Sequence, residues 1–307
     1  MNNQVRYSVV IPVYNSETTL EKLFERLLTA LKTVPEDFEV IFVDDGSSDG
    51  SWQKLKDLRT KDNKIKIIQL MRNFGQHNAL ICGFYFAKGK YIITMDDDLQ
   101  NPPEEIPKLI SKIGEGYDIV YGKYISKKHS GFRNLGSLLI QCVYKKVFNV
   151  QNMLSSFRII RGQLIHSILK YEKSYVFIDG LLAWNTRNIG YVQVEHHERT
   201  VSKSGYRFKK LLTLSLNMIT NFSILPLQIS SIMGLLFALL GFMTAGYFLL
   251  KKIIYGIPVE GYTSLIIAIT IFAGIQLLTI GLIGEYIGRI HLNINNKPQY
   301  EIREQIL

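Results

Sequence analysis

Two long stretches without a charged residue set the first limit on how this chain can fold. Residues 224–250, "ILPLQISSIMGLLFALLGFMTAGYFLL", contain no Asp, Glu, Lys or Arg, and neither do residues 262–284, "YTSLIIAITIFAGIQLLTIGLIG". Each exceeds the roughly 20 residues with which a helix crosses the hydrocarbon core of a bilayer. A buried helix of a soluble core can have this composition, but two such stretches in succession favour a pair of membrane spans. The segment between them, "KKIIYGIPVEG", is too short to fold alone, so the spans form a hairpin with both ends on one side. Lys203, Arg207, Lys209 and Lys210 precede the first span, and Arg289, Lys297 and Arg303 follow the second. The loop has only Lys251 and Lys252, so the basic excess assigns both chain ends to the cytoplasm.

The expected organisation is a soluble domain over residues 1–205, a juxtamembrane helix over 206–223, and a hairpin over 224–288. The hairpin helices span about 224–250 and 262–286, and residues 289–307 form a cytoplasmic tail. No signal peptide is visible, because the first apolar stretch, "YSVVIPVY", is short and broken by Pro12. Cys82 and Cys142 are too few for a disulfide framework and suit a reducing compartment. The net charge of +10 could serve nucleic acid. Beside membrane spans it points instead to anionic lipid or phosphate ligands, and no nucleic-acid partner is expected.

The soluble part alternates strand and helix. "YSVVIPVY" (7–14) reads as a buried strand. A helix follows, with Thr18 and Glu21 at capping-box spacing and Leu20, Leu23, Phe24, Leu27, Leu28 and Leu31 at helical period. "FEVIFV" (38–43) is a second strand, and Asp49 can cap a helix running to about Arg59. "IKIIQL" (65–70) is a third strand, followed by a helix from about His77, and "YIITM" (91–95) is a fourth. This order predicts an α/β fold with a doubly wound, mainly parallel sheet.

In such sheets ligands bind beyond the carboxyl ends of the strands. The polar clusters lie there: Asn15, then Asp44 and Asp45, then Arg72 and Asn73, then Asp96 to Asp98. Three adjacent aspartates repel one another, so the stretch "ITMDDDLQNPPEEI" (93–106) calls for a cation. In an extended segment Asp96 and Asp98 point to one side and Asp97 to the other. Carboxylates suit a hard cation such as Mg²⁺ or Mn²⁺, with substrate phosphates and water completing its shell. An acidic turn that merely caps the next helix is the other reading of these residues taken alone.

The motifs "VVIPVYNSE", "VDDGSSDGS", "RNFGQHNAL" and "DDDLQNPPEEIPKL" resemble, in order, those of the family 2 glycosyltransferases with a GT-A fold. The similarity is to the polyisoprenyl-phosphate branch, which includes dolichol-phosphate mannose synthase and the bacterial undecaprenyl-phosphate sugar transferases. "GLIGEYIGRIHLNINNKPQY" (281–300) resembles the end of the second membrane helix and the tail of the bacterial members. By that resemblance Pro12, Tyr14 and Asn15 shape a nucleotide pocket, and Asp44, Asp45, Arg72 and Asp96 serve nucleotide-sugar binding. Asp96, Asp98 and Gln100 hold the metal against the donor diphosphate, with Asp98 also counted as catalytic.

Two segments depart from the family pattern. Many relatives have Asp-Phe-Arg-Leu where this chain has "SSFRII" (155–160), so Ser156 stands at the position of a candidate base, while Phe157 and Arg158 match. A lipid phosphate is largely dianionic at neutral pH, with a second pKa of ~6, and needs positioning more than deprotonation. Arg158 is a catalytic candidate by this match, and Asp179 in "FIDG" is either an assisting base or a buried turn residue. In "ERTVSKSGYRFKKLL", Arg199, Ser204 and Tyr206 match the family's Arg-x-x-Gly-x-Ser-Lys-Tyr. Ser202 and Gly205 do not, and Lys203 can supply the missing charge. These four residues, Arg199, Lys203, Ser204 and Tyr206, are read as acceptor-phosphate ligands or as a basic membrane flank. Residues 207–222 and 131–150 read as interfacial helices, the second alternatively as a helix packed on the sheet. His196 and His197 read as edge-strand residues without a ligand role.

Taken together, the resemblance implies an inverting, metal-dependent transfer of one sugar from a UDP- or GDP-linked donor to undecaprenyl phosphate. It places the enzyme at the cytoplasmic face of a bacterial inner membrane, serving surface glycan or lipid A. A downstream flippase, an outward-facing transferase and a possible tetramer are implied in the same way. Three rivals stand beside it: a processive synthase, a transferase acting on another lipid acceptor, and a non-catalytic nucleotide-sugar-binding subunit. A processive synthase carries Gln-x-x-Arg-Trp, which neither Trp52 nor Trp184 satisfies.

Overall fold

The computed structural model describes residues 5–34, 37–124, 155–173, 176–197, 225–255, 261–295 and 297–307. The segments 131–150 and 206–223 therefore lie outside the described residues. Two units are present, one reaching residue 197 and including 297–307, the other covering 225–295.

The first unit contains β1 (Tyr7–Val13), α1 (Leu20–Lys32), β2 (Phe38–Asp44), α2 (Ser51–Lys61), β3 (Ile65–Leu70), α3 (Gln76–Phe86) and β4 (Tyr91–Thr94). After these come α4 (Ile106–Ile113), β5 (Ile119–Tyr124), β6 (Arg158–Arg161), α5 (Gly162–Leu169), α6 (Ile178–Asn185) and β7 (Ile189–Val194). The second unit holds α7 (Leu225–Tyr255) and α8 (Tyr262–Ile294), after which β8 (Ile302–Ile306) rejoins the first.

Eight strands form one sheet in the order β7-β5-β6-β4-β1-β2-β3-β8. The central strands β3, β2, β1 and β4 are parallel. β6 runs antiparallel to both of its neighbours, and β8 runs antiparallel to β3. The parallel, doubly wound expectation holds at the centre, and the flanks make the sheet mixed. β1 is buried along its whole length because helices cover both faces. Val9, Ile11 and Val13 cluster with Leu20, Leu23 and Leu27 of α1. Val10 points the other way, toward α3, which approaches so closely that a Cβ on Gly83 would lie 2.3 Å from Val10 Cγ1.

Two local expectations change. α1 begins at Leu20 with Thr19 at its N-cap, and the Thr19 hydroxyl donates to the Ser16 carbonyl (3.0 Å). The capping box does not form, because the N-cap is Thr19 and not Thr18, and Glu21 pairs with Lys54 (2.6 Å) and Lys61 (3.2 Å). Residues 289–307 are likewise not one tail. α8 continues to Ile294, and Ile302–Ile306 pair with β3 through Ile67↔Ile306 and Gln69↔Glu304. β8 covers an edge that would otherwise present unpaired backbone groups.

In the second unit, α7 and α8 are long and apolar enough to cross a membrane. Their large side chains face outward, among them Phe242, Leu277 and Ile294. An apolar surface of that extent marks a lipid or protein partner. Ser230 and Thr279 hydroxyls meet between the helices at 3.1 Å, the polar contact expected where apolar helices pack in pairs.

Candidate active site

The loops that leave the carboxyl ends of β1, β2, β3 and β4 carry all four motifs. Between β1 and β4 the strand order reverses, and an open α/β sheet leaves its ligand crevice at such a switch point.

The first two loops are laced together. Asn15 adopts the left-handed backbone conformation (φ 52°), which its short polar side chain tolerates. Its side-chain oxygen accepts from Ser48 N (2.9 Å), and its own N–H donates to Ser47 Oγ (2.9 Å). Ser16 N donates to Ser51 Oγ (2.9 Å), and Glu17 accepts from Gly50 N (3.0 Å). Pro12 is buried within β1, whereas Tyr14 stands 49% exposed at the rim, free to offer a ring face to a base.

The aspartates of the second loop do a different job from the one expected. Asp44 is fully buried, accepting from Ser47 N (3.2 Å) and Gln69 Nε2 (3.0 Å), so it shapes the loop and presents no face to a ligand. Asp45 accepts from Phe74 N (2.7 Å) and Gly75 N (2.9 Å), and thereby ties the third loop to the second. Burial raises the Asp45 carboxyl above the usual carboxylate range, and those two N–H bonds pull it back. Arg72 lies exposed with its guanidinium 4.4 Å from the Phe74 ring centre.

Gly46 makes the tight approach of these loops possible. Its φ is +67°, and a Cβ there would lie 2.5 Å from the carbonyl carbon of Arg72. Gly46→Ala meets both a left-handed backbone and a clash, at a combined cost of about 2–4 kcal/mol. A thermal melt of the purified variant checks this, and a melting temperature equal to wild type would show the loop to be slack.

The acidic segment is a turn rather than an extended stretch. β4 stops at Thr94, and Leu99 is left-handed (φ 60°) with its side chain buried in the core. A branched residue in that conformation is held there by its surroundings. Asp97 turns toward β1, accepting from Tyr14 N (3.1 Å) and Ser16 Oγ (2.5 Å) across the switch point. Asp96 accepts from Gln76 Nε2 (2.6 Å) and Ser156 Oγ (2.5 Å), both neutral donors. Asp98 accepts from Gln100 N (3.1 Å). Burial, and then the neighbouring Asp98, raise the Asp96 carboxyl; burial takes Asp97 to about 6.

Behind this turn lies a buried ion pair. The Arg158 Nη1 donates to Asp179 Oδ1, the Tyr121 hydroxyl donates to the same oxygen (3.3 Å), and the guanidinium sits 5.8 Å from the Tyr121 ring centre. Arg158 is 1% exposed, so it reaches no ligand directly. Burial works against its charge, but Asp179, Tyr121 and Asp96 outweigh it. Asp179 is engaged by Arg158 and Tyr121. Arg158 and Asp179, both expected to be catalytic, are thus paired with each other, the arginine fully buried. Arg199, Lys203, Ser204 and Tyr206 lie outside the described residues.

A family model described as glycosyl transferase family 2 matches residues 8–173, a span that includes every one of these loops. The chain belongs to that family. This glycosyltransferase is 36% identical over 306 residues to the undecaprenyl-phosphate 4-deoxy-4-formamido-L-arabinose transferase of Proteus mirabilis, covering 98% of this chain and 94% of the relative. An uncharacterized glycosyltransferase of Synechocystis is 34% identical over 305 residues, covering 98% and 95%. Among solved structures, glucosyl-3-phosphoglycerate synthase from Mycobacterium tuberculosis aligns with a TM-score of 0.53 at 18% identity, covering 70% of this chain and 76% of that one. That likeness establishes the GT-A-like fold.

The glycosyltransferase's acidic turn fits a hard divalent cation. Among the described residues no three His, Cys, Asp or Glu side chains converge on one point. A cation between Asp96 and Asp98 would take further oxygens from Gln100, a donor phosphate or water, which suits Mg²⁺ or Mn²⁺ and not zinc. Because burial raises Asp96 and Asp97 in the folded state, the stability they contribute is full below the ordinary carboxylate pKa of about 4 and is lost as pH rises, for Asp97 through about 6. Added Mg²⁺ or Mn²⁺ is therefore expected to raise the melting temperature more at pH 8 than at pH 5. An equal shift at both pH values would separate the cation from these carboxylates.

Sequence reasoning missed three neighbours of the turn. Gln76 and Ser156 both bond Asp96, and nothing in their spacing announces it. His196 follows β7 rather than lying in it: its ring is 4.2 Å from that of Tyr124, and His197 N donates to the Gln100 carbonyl (2.9 Å). Burial lowers the His196 pKa while Asp98 opposes the shift.

Proposed function

We propose that this glycosyltransferase moves one sugar from a UDP- or GDP-linked donor to a polyisoprenyl phosphate, undecaprenyl phosphate in a bacterium. The observation that carries the proposal is the 36% identity over 98% of the chain to undecaprenyl-phosphate sugar transferases. That span takes in both the acidic turn and the two apolar helices. The helices would seat the enzyme in the inner membrane with its catalytic domain and both termini cytoplasmic.

Asp96, Asp98 and Gln100 would hold Mg²⁺ or Mn²⁺, and the solved relative was crystallised with Mn²⁺ and UDP. Bound there, such an ion neutralises charge developing on a departing diphosphate. Tyr14, Asn15 and Arg72 line the donor side, while Asp44 and Asp45 fix the loops beneath them. A phosphate oxygen of the lipid attacks the anomeric carbon. The bond from that carbon to the donor diphosphate breaks, and a nucleoside diphosphate leaves. Attack opposite the leaving group inverts the anomeric configuration. No proton has to be removed from a dianionic phosphate, so a serine at position 156 is compatible with turnover. Arg199, Lys203, Ser204 and Tyr206 are proposed to bind the acceptor phosphate. The lipid-linked product would pass to a flippase and an outward-facing transferase for surface glycan or lipid A.

Acceptor choice tests this reading. Detergent-purified enzyme, Mn²⁺ and a panel of labelled nucleotide sugars, the modified arabinose of the relatives among them, are offered undecaprenyl phosphate, undecaprenol or diacylglycerol. Label entering the organic phase with the phosphate alone is the expected result; label on either alcohol would shift the assignment to a hydroxyl acceptor. Ser156→Asp extends the test. A missing base would show as a kcat gain of more than about tenfold. The expected result is no gain, with weaker metal-free stability because a third carboxylate meets Asp96.

A further inference from the structure

The far end of the chain reaches the loop that leads into α3. β8 pairs regularly with β3 up to Gln69↔Glu304, and then the register shifts, with Leu70 opposite Ile302. Arg303 is the extra residue at that irregularity, and bulges of this kind re-aim a side chain near a site. Its Nη2 donates to the Met71 carbonyl (2.8 Å), while Met71 N donates to the Glu301 carbonyl (2.9 Å). Both backbone polar groups of the residue before Arg72 are thus held by the C-terminal segment.

That segment is itself anchored at two further places. Glu304 accepts from Trp52 Nε1 (3.2 Å) and pairs with Lys56 (2.9 Å) on α2. Gln299 Nε2 donates to the carbonyls of Tyr171 (2.7 Å) and Lys173 (2.9 Å). Beyond Met71, the loop rests on Gly46 and Asp45, and Gln76 ends it on Asp96. A strand serving only to cover an edge needs ladder pairing. It does not need a bulge that aims a guanidinium at a carbonyl past the end of the ladder.

We propose that residues 297–307 are a working part of the donor site, a clamp that sets loop 71–75, with Arg303 as its positioning residue. This rests on the reading of that site as a nucleotide-sugar pocket. The clamp acts on how the donor is bound, not on the bond that breaks, so its loss raises donor KM and leaves kcat nearly unchanged.

The test uses the full-length protein in detergent, with Arg303→Ala, Arg303→Lys and Lys56→Ala. Lys56 holds the same segment away from the loop, and its variant reports the effect of loosening the strand alone. UDP and GDP binding with Mn²⁺ is measured by calorimetry, alongside donor KM, kcat and melting temperature. Arg303→Ala is expected to weaken nucleotide binding and raise donor KM by about 5–10-fold, the scale of one typical intramolecular hydrogen bond. Its kcat stays within twofold, Arg303→Lys recovers most of the loss, and Lys56→Ala leaves nucleotide affinity unchanged. Nucleotide affinity within twofold of wild type in Arg303→Ala, or an equal loss in Lys56→Ala, would overturn the clamp. Wild-type protein that binds a nucleotide but transfers nothing defeats the transferase reading alone, and the affinities still decide on the clamp. Wild type that binds neither nucleotide overturns both.

Discussion

Asp98→Ala is expected to lower sugar transfer about 100- to 1,000-fold while the protein stays folded. Removing a group that holds the charge stabiliser at a departing oxyanion costs ~3–4 kcal/mol of barrier, and every 1.4 kcal/mol is tenfold in rate. Asp98 accepts from Gln100 N within its own turn, a local contact rather than one that ties distant elements together. It also stands close enough to Asp96 to raise that carboxyl. Without the cation, the variant should therefore melt no lower than wild type. Label transfer and a thermal melt in EDTA check the two halves separately. Activity within tenfold of wild type would remove Asp98 from the chemistry, whereas an unfolded variant would make it a structural residue.

Arg158→Met is expected to be the most destabilising single change in the sheet domain. Breaking a buried ion pair from one side leaves the other charge without compensation, at a cost of about 3–5 kcal/mol. Asp179 would be that stranded charge, left with the Tyr121 hydroxyl as a donor. Replacing both partners, Arg158→Met with Asp179→Leu, should recover most of the loss, since neither charge is then left buried. Activity separates support from catalysis. If the pair only supports Asp96, the double variant keeps measurable transfer with a raised metal requirement. Complete loss of transfer in a well-folded double variant would give the pair a direct part in the reaction.

What the sequence made legible follows from how strongly each residue type is tied to its environment. The central strands are apolar on both faces and bounded by turns, so "YSVVIPV" and "IKIIQL" declare themselves, and the two uncharged stretches declare α7 and α8. β8 does not. "IREQI" is short and charged, and only the open edge of β3 makes it a strand. The site was legible as a set of loops but less so residue by residue. Two adjacent aspartates after β2 read alike, yet one is sealed beneath the loop and the other clasps the next loop. Arg158 and Asp179 are 21 residues apart, and their pairing depends on β6 and α6 meeting in three dimensions. Ser156 departs from the family pattern in sequence, but only the structure places its hydroxyl on Asp96.

The most direct measurement is the mass of the lipid formed from undecaprenyl phosphate, with identification of the nucleotide released beside it. Transfer of the sugar alone gives undecaprenyl phosphate enlarged by one dehydrated sugar, with a nucleoside diphosphate in the aqueous phase. Both should disappear in EDTA. A lipid diphosphate sugar accompanied by a nucleoside monophosphate would mean that a different bond of the donor breaks, and would contradict the reaction proposed for this site.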